Sequence, residues 1–269
     1  MAADVPVPKI GVVKSAARSL AVIEYVARHS PASFTDVVTD LRLPRSSAHG
    51  LLRTLESAGW LRQNPESHLY SLGLRAWQVG QQYTGHRGLA EVAAPFMDEL
   101  ADRSGETVQL ALLDGIENVY VAISLSPNPM RLASSVGMRL PAHATGIGKA
   151  LLSQLDEGEA ERRLRAAPLA RMTANTVIDV DGLLQNLAEV RRTGHALDDQ
   201  EYVLGCRCVA IPLTSGAEGQ ETSALSLTMP TFRTDQDWPN SALGGLQDTA
   251  ARIRSAMGLP RDATARCHR

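Results

Sequence analysis

The sequence has few cysteines and no long apolar segment. Its three cysteines, Cys206, Cys208 and Cys267, are an odd number in a chain of 269 residues, which does not fit a disulfide framework. No uncharged apolar run of about 18 residues occurs, and no basic and apolar leader opens the chain. We therefore expect no membrane-spanning helix, no membrane partner and no signal peptide, and we expect a protein of the reducing cytoplasm.

Lysines and aromatic residues are also scarce. Lys9, Lys14 and Lys149 are the three lysines among 27 basic residues, a bias that reflects genome composition more than function. Aromatic residues make up 4% of the chain, so ring stacking is expected to contribute little to ligand binding. The hydrophobic content of 44% suffices for one large or two ordinary domains with apolar cores.

The charge is unevenly distributed along the chain. Residues 1–75 contain nine Lys or Arg and six Asp or Glu, a balance of +3. The remaining 194 residues therefore carry −5, because the whole chain carries −2. A basic N-terminal part on an acidic body is typical of a DNA-binding module attached to another domain.

Three helices are predicted in the N-terminal part. Residues 14–29 carry an apolar stripe with Ser15 as a candidate N-cap. A second helix is expected from Ser33, which opens an S-x-x-D capping box, to about Arg42. Pro44 fits the first turn of a third helix, which ends at Gly59. The apolar stripe of this third helix comprises Ala48, Leu51, Leu52, Leu55 and Ala58.

The outer face of the third helix is polar and basic. This layout predicts a helix-turn-helix whose second helix lies in the major groove of DNA, although any solvated helix face can carry such residues. Two short strands around Asn64–Ser67, 60–63 and 69–72, predict a following hairpin, which completes a winged helix. The candidate DNA-binding residues are Arg45, Ser46, Ser47, His49, Gly50 and Arg53 on the helix, and Arg62 and His68 on the wing.

Three segments resemble the IclR family of bacterial transcriptional regulators: SAARSLAVIEYV, LPRSSAHGLLRTLESAGWL and YSLG. The resemblance covers nearly the whole chain. It implies a winged helix-turn-helix domain (1–73), a linker helix (74–88) that often packs against a partner subunit, a GAF-like effector-binding domain (89–260) and a disordered tail (261–269). Family members often have Arg where this chain has Gly50, so either other residues of the helix recognise the operator or Gly50 lets the backbone approach DNA closely.

The C-terminal two thirds predict an α+β domain with an antiparallel sheet. Helix patterns occupy 89–104, 146–155, 157–166, 180–193 and 241–257, and strand patterns occupy 106–113, 118–124, 195–199, 207–213 and 223–228. Asp114-Gly115 predicts a hairpin between the first two strands, and Gly105 is expected to end the first of these helices.

A glycine-rich turn at 137–152 opens one of these helices. We expect free backbone N–H groups that face outward there and bind a small carboxylate near Thr145, Gly146 and Ile147, with a simple capped helix as the alternative. A phosphate loop is excluded, because it would need Gly in place of His143 and Ser or Thr in place of Ala150.

The stretch DDQEYVLGCRC matches a family segment that lines the effector pocket. The resemblance implies effector contacts by Asp198 or Asp199, by Cys208, and by Ser226 and Thr228 on the next strand. Ordinary burial of Cys206 or Cys208 is the alternative.

These features predict a ligand-responsive transcriptional regulator without a cofactor, metal or enzymatic activity. We expect a repressor of a catabolic operon that a small organic-acid effector releases from a palindromic operator, and a homodimer or a dimer of dimers. An activator of the same family is the alternative. A thiol redox enzyme that uses Cys206 and Cys208 is a weaker hypothesis, since no His/Asp partner is spaced to activate a nucleophile and a C-x-C pair lacks two ligands for a closed zinc site.

Overall fold

Two units divide the chain, residues 1–84 and 85–269. The structure, a computed structural model, describes residues 13–82, 87–215 and 221–259. The predicted disordered tail and Cys267 lie outside the described residues. Across the described segments, none of the helices combines the length and apolarity needed to cross a lipid bilayer.

The first unit contains three helices, a two-stranded hairpin and a fourth short helix. The predicted winged-helix order of elements is confirmed, and apolar side chains from all three helices and both strands form one core, including Val22, Val37, Leu52 and Leu61. The elements are α1 (Lys14–Arg28), α2 (Phe34–Asp40), α3 (Arg45–Ser57), β1 (Leu61–Gln63), β2 (Tyr70–Leu72) and α4 (Leu74–Gly80).

The capping box at the start of α2 is confirmed. The amide of Asp36 donates to the Ser33 hydroxyl at 3.1 Å, and the amide of Ser33 donates to the Asp36 carboxylate at 3.0 Å. The predicted N-cap of α1 is wrong, since Val13 occupies that position without a side-chain cap and Ser15 lies inside the helix. Helix α2 ends at Asp40, before the predicted Arg42, whose positive φ of 49° does not continue a helix.

Helix α3 buries three of the five predicted apolar positions, Ala48, Leu52 and Leu55. Leu51 is half-buried, and Ala58 is exposed because it caps the helix instead of belonging to its apolar face. The hairpin that follows pairs Leu61 with Leu72 and Gln63 with Tyr70, so the predicted wing is confirmed.

The second unit contains a mixed α and β arrangement. Its elements are α5 (Arg87–Ser104), β3 (Thr107–Asp114), β4 (Glu117–Ser124), β5 (Arg139–Pro141), α6 (Gly146–Leu152), α7 (Glu157–Arg165), α8 (Val180–Thr193), β6 (Ala196–Asp199), β7 (Cys206–Ser215), β8 (Thr222–Pro230) and α9 (Asn240–Ala256). A short 3-10 helix, Ala142–Ala144, precedes α6. The predicted hairpin at Asp114-Gly115 is confirmed, as is the positive φ of Gly105.

The described strands of this unit form one antiparallel sheet in the order β5-β4-β3-β8-β7-β6. On one face, side chains such as Leu110 and Leu227 pack with Met97 of α5 and Ile253 of α9. On the other face, Ala111 and other small side chains pack against α6. The α+β fold class is therefore confirmed. Strand β5 was not predicted, because three residues are too short for a readable alternation.

Helix α6 is buried along its whole length. A Cβ at Gly148 would lie 2.3 Å from the Cα and the carbonyl oxygen of Ala142, so only glycine allows the 3-10 turn to approach the helix. The prediction that the first turn of α6 faces outward is wrong. The sheet and the 3-10 turn cover it, and the Gly148 amide donates to the Thr145 hydroxyl at 3.1 Å.

Candidate functional site

The predicted DNA-binding residues of α3 lie on its outer face. Arg45, Ser46, His49 and Arg53 are exposed, while Ser47 is half-buried. The Arg45 guanidinium lies 5.6 Å from the ring centre of Phe34. Among the side chains that the structure describes, neither Arg45 nor Arg53 has an ion-pair partner. Both guanidinium groups are therefore available to an external anion.

Gly50 leaves an opening on this face. A Cβ at Gly50 would meet no atom within 4 Å, and the surrounding depression is lined by His49, Arg53 and Thr54. The Gly50 carbonyl accepts a hydrogen bond from the Thr54 hydroxyl at 2.8 Å. A longer side chain at this position would therefore project outward without a clash inside this unit.

The wing residues Arg62 and His68 are both exposed. Arg62 lies on β1, which packs against α3. His68 has a positive φ of 57°, and its carbonyl accepts a hydrogen bond from the Gln63 side chain at 3.0 Å. The hairpin thus supports two more basic or titratable side chains beside the helix.

In the second unit, strand register collects buried polar side chains on the sheet face that carries α6. Asp198 of β6 pairs with Cys208 of β7, and Cys208 pairs with Thr228 of β8. Ser226 of β8 pairs with Gln109 of β3. All five residues are buried. We call Gln109, Asp198, Cys208, Ser226 and Thr228 the polar cluster.

The start of α6 adjoins the polar cluster. A Cβ at Gly146 would lie 3.1 Å from the Cys208 sulfur and 3.4 Å from the Asp198 amide nitrogen. Thr145 caps the helix, and its hydroxyl donates to the Asn118 side chain at 2.8 Å. Ile147 is buried in the apolar core beside them. The structure therefore brings Gly146 next to Asp198 and Cys208. Ser226 and Thr228 lie on the neighbouring strand β8.

Asp199 does not join this group. Side chains alternate between the two faces of a strand, so Asp198 and Asp199 point in opposite directions. The Asp199 carboxylate is exposed and accepts hydrogen bonds from Arg207 at 2.8 and 3.2 Å. That guanidinium lowers the pKa of Asp199. Of the two candidate acids, only Asp198 lies with the other predicted residues.

Two carboxamides that the sequence analysis did not select hold the predicted hydroxyl groups. The Gln109 carbonyl oxygen accepts from both Ser226 and Thr228 at 3.0 Å, while its Nε2 has no partner within the part of the chain that the structure describes. The Nδ2 of Asn118 likewise has none. A buried donor without a partner destabilises a fold by roughly 1–3 kcal/mol. Gln109 could have been noticed as the polar residue within the otherwise apolar run VQLALL.

A buried ion pair lies beside Asp198. The Lys149 ammonium of α6 contacts the Glu201 carboxylate at 2.5 Å, and both side chains are largely buried. The Glu201 amide donates to Asp198 at 2.7 Å. The pKa of Asp198 is raised to about 7, mainly by burial and also by the Glu201 carboxylate, while the amide hydrogen bond and Lys149 oppose the rise. Asp198 is therefore partly protonated at neutral pH.

The two neighbouring thiols are protonated at neutral pH. Burial, together with the nearby Asp198 carboxyl, raises the pKa of Cys206 to about 11 and that of Cys208 to about 12. Within residues 13–82, 87–215 and 221–259, no group of three or more His, Cys, Asp or Glu side chains could hold a metal ion. The arrangement is suited to hydrogen bonding more than to thiolate chemistry.

Helix α4 presents an exposed apolar surface. The exposed fractions are 69% for Leu74 and 62% for Trp77, and Leu72 and Val79 are also exposed. The helix covers Leu74–Gly80 of the linker predicted at 74–88, whose residues 83–86 lie outside the described residues.

The winged helix has an exposed basic face, and the second unit of the same chain buries a polar cluster. This combination defines a DNA-binding transcriptional regulator. Residues 15–65 match the IclR helix-turn-helix domain, and residues 81–255 match the family described as bacterial transcriptional regulator IclR C-terminal. The chain belongs to the IclR family of transcriptional regulators.

Curated relatives and solved structures agree with this assignment. The HTH-type transcriptional repressor AllR of Salmonella paratyphi A is 35% identical over 243 residues, which are 90% of this chain and 89% of that protein. AllR of Escherichia coli K12 is 33% identical over the same coverage. An IclR homologue from Microbacterium hydrocarbonoxydans in complex with 4-hydroxybenzoate has a TM-score of 0.79 at 25% identity, with 91% of this chain and 99% of that chain covered.

Asp198→Asn should stabilise the protein above neutral pH. Because the pKa of Asp198 is raised from 3.8 to about 7, the buried carboxylate lowers the free energy of unfolding progressively as pH rises through this range. The asparagine oxygen can still accept from the Glu201 amide. We expect a gain of up to roughly 4 kcal/mol at pH 8, and a smaller gain at pH 5, by urea unfolding of the full chain.

Asp199→Asn is the matched control for this experiment. Its pKa is lowered by Arg207, so its loss should reduce stability slightly at pH 8. A destabilised Asp198→Asn protein, or a difference from wild type that is the same at both pH values, would contradict the assignment of a buried, partly protonated Asp198.

Proposed function

We propose that the chain represses transcription by binding an operator through α3 and the wing, and that a small carboxylate effector in the second unit releases it. The observation that carries the DNA-binding part is the exposed outer face of α3, whose two arginines form no ion pair with any residue that the structure describes. The repressor names of the AllR relatives support the sign of regulation. Because the partner is chromosomal DNA, the proposed site of action is the cytoplasm.

Within this proposal, the N-terminal half of α3 reads bases. Arg45, Ser46 and His49 lie where the recognition helix of a helix-turn-helix contacts base edges in the major groove. Arg53, Arg62 and His68 are placed to contact phosphates or the minor groove, and the half-buried Ser47 contributes at its edge. The open surface at Gly50 is compatible with close approach of the helix backbone to DNA.

The polar cluster and the start of α6 form the proposed effector site. The proposal places the effector carboxylate near Thr145, Gly146 and Ile147, and its remaining polar groups against Asp198, Cys208, Ser226 and Thr228. Buried polar atoms in an otherwise apolar region are typical of small-ligand sites. The relative with bound 4-hydroxybenzoate supports a small acid as the ligand class.

The exposed apolar surface of α4 supports a homodimer or a dimer of dimers. Leu74 and Trp77 would be buried against a second copy, since contiguous exposed apolar surface marks association sites. A twofold-symmetric dimer would bind a palindromic operator. Effector binding would then change how the two winged helices of the dimer fit the half-sites.

Thiol redox catalysis is not part of the proposal. A redox enzyme would need a cysteine with a lowered pKa that supplies a thiolate, and the raised pKa values of Cys206 and Cys208 keep both thiols protonated. We accordingly propose no enzymatic activity and no cofactor for this chain.

Arg53→Ala should weaken binding to a DNA duplex taken from the region upstream of the chain's own gene. A lost phosphate or base contact lowers affinity, and a lost phosphate contact also reduces the slope of log affinity against log salt concentration by about 1. Fluorescence anisotropy between about 50 and 200 mM salt measures both quantities.

Arg192→Ala is the control, because it removes the same charge from the other unit at an exposed position of α8. It should leave the affinity and the salt dependence unchanged. If Arg53→Ala behaved like Arg192→Ala at every salt concentration, the proposed DNA-binding face would be wrong.

A thermal-shift screen against small organic acids, aromatic acids and their amides tests the effector site. A ligand that binds the folded state stabilises it by about 2.7 kcal/mol at a hundredfold excess over its Kd, so the binding acid should raise Tm by several degrees. Cys208→Ser should retain DNA binding and show a smaller shift with the same acid, because residue 208 adjoins Gly146 and Asp198. Failure of every acid to raise Tm, or an unchanged shift in the variant, would contradict the proposed site.

A further inference from the structure

Gln109 differs from the other members of the polar cluster in having an unused donor. Its side chain lies at the centre of the sheet on β3 and is completely buried. Its carbonyl oxygen is occupied, since it accepts hydrogen bonds from both Ser226 and Thr228 at 3.0 Å. Among the described residues, its Nε2 has no hydrogen-bond partner. The two hydroxyl groups therefore fix the orientation of the amide while its nitrogen remains available.

A continuous set of buried polar groups connects Gln109 to the start of α6. Thr228 accompanies Ser226 on β8, and its backbone pairs with Cys208. The Ser226 and Thr228 hydroxyls also lie close enough to the Cys208 thiol to oppose the burial-induced rise in its pKa. The Cys208 sulfur in turn adjoins Gly146. Gln109 on β3 and Asp198 on β6 thus lie at opposite ends of the polar cluster in strand order.

The alternative is that Gln109 only holds the two hydroxyls in place. That role requires the carbonyl oxygen and leaves the amide nitrogen without a function, although burying an unpaired N–H group is unfavourable. A ligand atom that accepts a hydrogen bond accounts for the nitrogen as well as the oxygen. A hydrogen bond to a ligand therefore explains the unpaired amide nitrogen, which the positioning of the two hydroxyls does not explain.

We propose that Gln109 is a specificity-determining residue of the effector site, where its Nε2 donates a hydrogen bond to an effector oxygen other than the carboxylate held near α6. The effector is then a bifunctional acid, with a hydroxyl, carbonyl or second carboxyl group at its far end. This inference rests on the proposed effector site and adds the ligand class to it.

The test compares acids in matched pairs that differ by one oxygen-bearing group at the far end: 4-hydroxybenzoate with benzoate, 3-hydroxypropionate with propionate, and succinate with butyrate. Isothermal titration of the full chain should give tighter binding for the oxygen-bearing member of at least one pair. Gln109→Met has a similar size and no donor, so it should reduce that preference by about tenfold or more, as expected for one lost hydrogen bond to a buried partner. If Gln109→Met does not fold, Gln109→Glu, which keeps the oxygen held by Ser226 and Thr228, replaces it.

Thr249→Val is the matched control, because the Thr249 hydroxyl on α9 is also buried without a partner but lies with the core on the opposite sheet face. This variant should keep the wild-type preference. If Gln109→Met weakened the binding of both acids of a pair equally, the residue would only position the two hydroxyls, and the inference would be overturned. The inference would also be overturned if the wild-type protein did not prefer the oxygen-bearing acid of any pair. Absence of binding by every acid would overturn the proposed effector site, and the inference with it.

Discussion

Strand register across β6, β7, β8 and β3 is the constraint on which the proposed effector site depends. Asp198, Cys208 and Thr228 lie side by side because their backbones pair, and Ser226 faces Gln109 for the same reason. A slip of one residue in any strand would turn its polar side chains to the face packed by α5 and α9. The apolar residues between them, such as Val209 and Leu227, hold the register because they are buried in the core between the sheet and helices α5 and α9.

Several features of this sheet face are unfavourable for stability. Asp198 is buried with a raised pKa, and the Gln109 and Asn118 amide nitrogens have no hydrogen-bond partner among the described residues. The Lys149 ammonium offsets part of the buried negative charge of Asp198 and Glu201. Its ion pair with Glu201 connects α6 to the segment after β6. A buried pair of this kind contributes little net stability, although removal of one partner is strongly destabilising. A ligand with several polar groups would satisfy the unpaired atoms, so its binding would be coupled to the order of this region.

Local patterns in the sequence were sufficient where local physics decides the structure. The capping box at Ser33, the hairpin turn at Asp114-Gly115 and the α+β order of elements followed from spacing and turn chemistry. Local patterns were not sufficient where the structure depends on residues that are distant in the sequence. The prediction that the start of α6 faces outward was wrong because Ala142 and the sheet cover it. The choice between Asp198 and Asp199 required knowledge of which face of the sheet each side chain occupies. Gln109 was missed because its role depends on Ser226 and Thr228, more than one hundred residues away.

We propose that occupancy of the buried polar cluster controls DNA binding by α3. It is tested most directly by measuring the affinity of the full chain for its upstream DNA in the presence and absence of an acid that raises its Tm. We expect a saturating concentration of the acid to weaken DNA binding about five- to 150-fold, the usual range of allosteric coupling, and DNA to weaken acid binding by the same factor. An acid that binds to the chain and leaves DNA affinity unchanged would contradict it.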